Sequence, residues 1–152
     1  MKKLALTLIM FPILLSGCAS GVDLGSGWNP TRPKVMIVNG AVAPDQDQLV
    51  FPRKISGPIT WTLTDPKFEF TDKGIEVDGA LTDKLIRGEQ VSVVLNTKQN
   101  EIVDCTRSKD GLQFTCNNRH TVPGIYKYTI RVRDRSKPDS KPIERDPQVV
   151  NM

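Results

Sequence analysis

The amino-acid sequence predicts a single all-β domain, an antiparallel sandwich of about eight short strands. Three observations carry this. Beyond residue 33 apolar and polar residues alternate with a period of two rather than about 3.6. Turn signals made of Gly, Pro, Asn and Asp recur about every 8–12 residues. One stretch, 103–117, has turn chemistry, cysteine placement and face polarity that all agree on a hairpin.

In chain order, Lys34–Val38 is a β-branched run ending at Asn39-Gly40, a type I′ hairpin signal. Pro44 closes the next segment, and Leu49–Phe51 is a short strand stopped by Pro52. Gly57-Pro58 introduces Ile59-Thr60-Trp61-Thr62-Leu63-Thr64, where Ile59, Trp61 and Leu63 face one way and the threonines the other. Asp65-Pro66 turns the chain. Phe68-Glu69-Phe70 and Ile75-Glu76-Val77 repeat the alternation around Lys73-Gly74. Ala80–Arg87 carries the one helical signal, with Leu81 and Leu85 four apart and Gly88 at the position after a helix end. Val91–Leu95 is again a strand.

Asp110-Gly111 predicts a two-residue I′ turn that pairs Lys109 with Leu112 and sets Cys105 directly opposite Cys116. That register places Val103, Cys105, Leu112, Phe114 and Cys116 on one face. Asp104, Thr106, Ser108, Gln113, Thr115 and Asn117 share the other. By the same count the cysteines form a hydrogen-bonded pair with Cα atoms about 5.5 Å apart, within disulfide range. A three-residue turn ending at Gly111 would oppose Cys105 to Thr115 instead. Pro123-Gly124 launches Ile125–Arg133, whose inward stripe is Tyr126, Tyr128, Ile130 and Val132. Lys127, Thr129, Arg131 and Arg133 point outward. From Asp134 to Met152 the chain is a polar tail in which Val149-Val150 adds a short edge strand. Together these elements predict an all-β fold class: one immunoglobulin-like antiparallel β-sandwich over residues 34–152. The disulfide spans a hairpin, so the antibody arrangement of an inter-sheet Cys pair around a Trp is absent.

The N-terminus reads differently. Lys2 and Lys3 precede an apolar run from Leu4 to Leu15 broken by Thr7 and Pro12, the pattern of a secretory signal peptide. The run is shorter than the roughly 20 apolar residues of a membrane-spanning helix. It ends at Leu15-Ser16-Gly17-Cys18, which resembles the lipobox of bacterial lipoproteins. The resemblance implies cleavage after residue 17, a diacylglyceryl thioether on Cys18 and acylation of the new amine. With Ala19 rather than Asp after the cysteine, it also implies the outer membrane, facing the periplasm. Residues 18–33 read as the lipidated Cys and a flexible tether. The 15 residues after Cys18 hold three Gly, two Pro and two Ser, and such a tether spans roughly 20 Å. Trp28 either docks on its own domain or meets the membrane interface or a partner.

Without the leader, 19 basic residues face 17 acidic ones, so the net charge falls from +4 to about +2 and nucleic acid is not an implied partner. With Cys18 consumed by lipid, Cys105 and Cys116 remain as an even pair suited to a disulfide in an oxidising compartment.

Beyond the lipobox, the chain looks like small bacterial lipoproteins with one β-sandwich domain, through Ile59–Leu63, the Cys105–Cys116 hairpin, Gly124–Ile130 and Asp146–Asn151. No activity comes with that resemblance. The first functional reading is a lipid-anchored, non-catalytic binding or scaffold module with an envelope protein as partner. Alternatives by architecture alone are a secretion-system-associated lipoprotein and a lysozyme-inhibitor type. An enzyme is the competing class. His120 is the one imidazole, read as an exposed loop residue, and no Gly-x-Ser-x-Gly, His-Glu-x-x-His or phosphate-loop motif occurs. No cofactor is implied. Asp72, Asp78 and Asp83 match no EF-hand spacing. Trp28 and the stripe Lys127, Arg131 and Arg133, continued by Arg135, form the candidate partner-contact surface. The plainer reading of the stripe is a solvated strand face whose charges discourage aggregation.

Overall fold

The computed structural model describes residues 29–53, 55–86, 89–96 and 99–152. The leader 1–17, Cys18 and Trp28 lie outside them. Among the described residues eleven strands occur in the order β1 (Lys34–Val38), β2 (Ala41–Pro44), β3 (Gln48–Phe51), β4 (Gly57–Leu63), β5 (Phe68–Ile86), β6 (Glu89–Asn96), β7 (Ile102–Arg107), β8 (Gln113–Asn118), β9 (Gly124–Asp134), β10 (Ile143–Arg145) and β11 (Gln148–Asn151). One sheet runs β2-β1-β4-β8-β7. The other runs β3-β11-β9-β5-β6, with β10 beside the far half of β9.

The buried faces of both sheets contribute to a single core. Ile59, Trp61 and Leu63 of β4 and Phe114 and Cys116 of β8 come from the first sheet, and Phe70, Tyr128, Ile130, Val132 and Val149 from the second. The period-two reading of β4 and β9 therefore assigns their inward residues correctly. Each such large side chain, fully buried, stabilises the fold by about 1.5–3 kcal/mol. Trp61 and Tyr128 meet with ring centroids 5.3 Å apart. The buried Trp61 Nε1–H donates to Tyr128 Oη at 3.2 Å, which gives the indole its partner across the two sheets.

Both sheets are mixed, not purely antiparallel. β1 runs parallel to β4, with Lys34 opposite Thr62, and β11 runs parallel to β3. Side-chain period reports which face a residue takes, not the direction of its neighbour. The chain leaves β2 for β3 in the other sheet and returns in β4 beside β1, so no hairpin imposes an antiparallel pairing. The segment before β1 joins this arrangement. Thr60 N–H donates to Thr31 O at 2.9 Å and Thr62 N–H to Pro33 O at 3.1 Å. The fold thus engages residues 31–33, ahead of the expected start at residue 34.

The Asn39-Gly40 turn is as expected: φ is 51° and 77°, positive at both positions, as type I′ requires, and Val38 pairs with Ala41. Of the expected helix Ala80–Arg87, Arg87 lies outside the described residues, and Ala80–Ile86 is instead the end of β5, paired from Ala80–Leu95 to Ile86–Glu89 with β6. A spacing of four is also two strand periods, so Leu81 and Leu85 fit either element. Phe68–Phe70 and Ile75–Val77 belong to this same long strand. Its pairing with β9 is interrupted between Phe70 and Ile75 and again between Val77 and Gly79. At Gly74 a Cβ would come within 2.7 Å of Phe70 Cβ and 2.9 Å of Phe114 Cδ2, so only glycine fits this approach. The tail is not merely polar: Val149 is fully buried, and β11 lies between β3 and β9 instead of at an edge.

Candidate functional site

Cys105 and Cys116 form a disulfide between neighbouring strands of one hairpin. The connection differs from the two-residue turn expected. Ser108 and Gln113 close a four-residue loop, Gly111 N–H donates to Ser108 O at 3.0 Å, and the positive φ falls on Gly111 alone, at 69°. Both connections give the same register near the turn, with Thr106 opposite Thr115 and Arg107 opposite Phe114. Leu112 leaves the ladder and packs against the core, and its carbonyl accepts from Leu63 N–H at 2.9 Å. Farther along, a bulge at Asp104, whose φ is 53°, shifts the pairing so that Val103 faces Asn117 and Ile102 faces Asn118. The shift turns Ile102 into the core and leaves Val103 half-buried, the reverse of the expected faces. The cysteine Cα atoms are 4.0 Å apart, closer than a hydrogen-bonded pair.

The basic stripe on β9 does point outward, and each of its cations meets an acid of the same chain. Lys127 Nζ lies 2.9 Å from Asp146 Oδ2. That hydrogen bond raises the ammonium above its ordinary value against the effect of burial, and it lowers the Asp146 carboxyl. Arg131 bridges Glu76 of β5 and Glu144 of β10, the latter at 3.0 Å. Arg133 Nε lies 2.7 Å from Glu69 Oε1, and Arg107 Nη2 lies 2.7 Å from Glu69 Oε2. Held by two guanidinium groups, and chiefly by the Arg133 hydrogen bond, the Glu69 carboxyl falls below the usual range despite burial. Arg107 Nε also donates to Phe70 O at 2.7 Å, tying β7 to β5 across the sheets. Arg135 donates to the carbonyls of Phe68 and Asp110. The face therefore carries alternating charge and fastens β10 and the 146 loop to β9.

Asp72 and Asp78 do not share a site. Asp72 is exposed and 3.8 Å from Arg107, Asp78 accepts from Thr129 Oγ1 at 3.3 Å, and the Asp83 side chain lies outside the described residues. Among the described residues no group of three or more His, Cys, Asp or Glu side chains is placed to hold a metal ion.

His120 is half-buried, not simply exposed, with φ 48°. Its Nδ1 lies 2.7 Å from Ile55 O and its Nε2 3.0 Å from Met152 O, so the ring joins three chain segments. Beside it are two polar groups that the sequence reading passed over. Glu101 is buried and accepts from Thr121 N–H at 2.6 Å, from the Thr121 hydroxyl and from Val122 N–H at 3.3 Å. Burial alone would raise its carboxyl, but these donors more than reverse the effect and hold it below 4.5. Asn118 and Asn151, both buried, exchange amide hydrogen bonds of 2.9 and 3.0 Å between β8 and β11. Asn118 was accessible to sequence reading, because it continues the inward parity of Phe114 and Cys116. Glu101 sits in a loop and gives no such signal.

No protein-family model and no curated protein matches the chain. Over the described residues, fold and sites together define a small all-β domain with two mixed sheets and one disulfide.

Proposed function

We propose that this chain is a lipid-anchored cell-envelope protein whose folded part is a non-catalytic binding or scaffold module of immunoglobulin-like sandwich type. The observation that carries the reading is Leu15-Ser16-Gly17-Cys18 at the end of a charged-then-apolar leader. Two or more acyl chains on Cys18 anchor stably, since each buried CH₂ adds about 0.8 kcal/mol. A disulfide suits an exported protein. The interior is occupied by packed apolar side chains, and the buried polar residues Glu101, Asn118 and Asn151 serve one another or the backbone. That pattern suits a rigid display domain. The membrane through its anchor and an envelope protein are its partners, and the outer membrane is its location. Metabolic labelling with a fatty acid tests the reading. Wild-type protein takes up label and fractionates with membranes, whereas Cys18→Ala takes up none and either stays an uncleaved precursor or becomes soluble. Unlabelled wild-type protein would sink it.

A further inference from the structure

The charges on β9 are satisfied internally, but the outer face of the first sheet is built differently. A groove of about 280 Å³ opens there, lined by Arg32, Thr60, Thr62 and Gln113. Its donors have work left to do. Among the described residues the Arg32 guanidinium has no ion-pair partner, and the Thr62 hydroxyl and Gln113 amide have no side-chain partner. Thr60 Oγ1 bonds to Thr115 Oγ1, at 3.0 Å. Asp45, which pairs with Lys34, has its Oδ1 taken by Lys34 N–H at 2.8 Å.

Arg32 is also held in place. It ends a turn in which its N–H donates to Asn29 O at 3.0 Å, while Asn29 Oδ1 accepts from Thr31 N–H at 2.9 Å and from Thr31 Oγ1 at 2.7 Å. Pro30 fixes the next backbone angle, and the bond from Thr60 N–H to Thr31 O pins the turn to β4. The turn thus fixes the point from which the Arg32 side chain reaches the groove, and the planar guanidinium fork limits the freedom lost per hydrogen bond formed.

The groove's chemistry names its ligand class. An unpaired guanidinium favours a carboxylate, which it grips with two parallel N–H bonds. A hydroxyl and a primary amide both donate and accept, and so do the hydroxyls of a sugar. Inorganic phosphate offers mainly acceptor oxygens, so it uses the donors of Thr62 and Gln113 but makes less use of their acceptor oxygens than sugar hydroxyls do. We propose that this groove binds one carboxylate-bearing sugar unit of an acidic glycan. Arg32 takes the carboxylate, and Thr62 and Gln113 read the ring hydroxyls. Among the described residues no aromatic side chain lines the groove, and charge rather than stacking carries the affinity. The inference rests on the domain being a binding module but not on its anchor, so a failure of lipidation and a failure of binding are separate results.

The test is titration of the mature protein in detergent with galacturonate, galactose and inorganic phosphate, followed by amide NMR shifts. Galacturonate should move the Thr60, Thr62 and Gln113 amides with a Kd of about 1 mM, as suits a ligand of this size. Galactose should bind at least about tenfold more weakly, as should galacturonate to Arg32→Gln. The variant's unchanged melting temperature would show an intact fold. Gln113→Ala should weaken galacturonate more than phosphate. The proposal is overturned if those amides do not respond to galacturonate, if Arg32→Gln binds it as well as wild type, or if phosphate binds as tightly.

Discussion

The buried pair Asn118–Asn151 offers the sharpest test of how the two sheets are joined. Each amide donates once and accepts once across β8 and β11, and the two residues are 0% and 2% exposed. Asn118→Ala removes both bonds and leaves the Asn151 amide with neither water nor partner. Two hydrogen bonds at about 1 kcal/mol net each, plus an unsatisfied buried group at about 1–3 kcal/mol, give a loss of roughly 3–5 kcal/mol for either single substitution. Asn118 Oδ1 also accepts from His120 N–H at 3.3 Å, which places its variant toward the upper end. In the double variant the second deletion removes an amide that has already lost its partner. Its total should therefore fall short of the summed singles by at least about 4 kcal/mol, since the two shared bonds are lost only once and no unsatisfied amide remains. Urea unfolding of the four proteins, followed by circular dichroism, measures the cycle. Losses that add within about 0.5 kcal/mol would refute the pairing.

Two further outcomes follow from the same end of the molecule and the adjacent hairpin. Cys105→Ser with Cys116→Ser should leave a folded protein destabilised by about 3 kcal/mol, the chain-entropy value for so short a loop, and denatured wild-type protein should show no titratable thiol at these positions; two reactive thiols in unreduced material would contradict the bridge. The Glu101 carboxyl is depressed below 4.5 in the folded state, so its contribution is complete above that value and is lost as pH falls through the folded pKa. Wild-type stability should accordingly fall more steeply than that of Glu101→Gln as pH drops below 4.5; parallel pH profiles for the two proteins would show that the Thr121 and Val122 bonds do not act on the carboxylate.

Where local chemistry determines structure, the sequence was readable. Asn39-Gly40 needs two positive φ angles, and few dipeptides supply them, so that turn was legible as to type. Asp110-Gly111 carries the same signal, but the four-residue loop lets Leu112 reach the core while preserving the pairing at Thr106 and Arg107. Register survived there because both loops align the strands alike. It failed beyond Asp104 because a non-glycine residue in the left-handed region gives no compositional warning of a bulge. One extra residue then sufficed to exchange Ile102 for Val103. At Leu81 and Leu85 a single interval served two periodicities, and pairing with β6 and β9 decided the outcome. The burial of Val149 depends on β3 and β9, which lie far away in sequence.

The functional surface was harder to read for a related reason. Parity along β9 tells which side Lys127, Arg131 and Arg133 face, but not what faces them. Glu69 reaches Arg133 across 64 residues of sequence, and Glu76 reaches Arg131 across 55. These partners arrive only because β5 runs antiparallel beside β9. A run of cations visible in sequence is thereby converted into an alternating, self-satisfied face. Arg32 shows the converse. It stands in a segment whose composition suggests only a tether, yet the parallel β1–β4 pairing continues backward through Pro33 and Thr31 and brings it over Thr60 and Thr62. Exposed charge becomes available to a ligand only where the fold supplies no counter-charge, and that depends on strand neighbours rather than on the local density of basic residues.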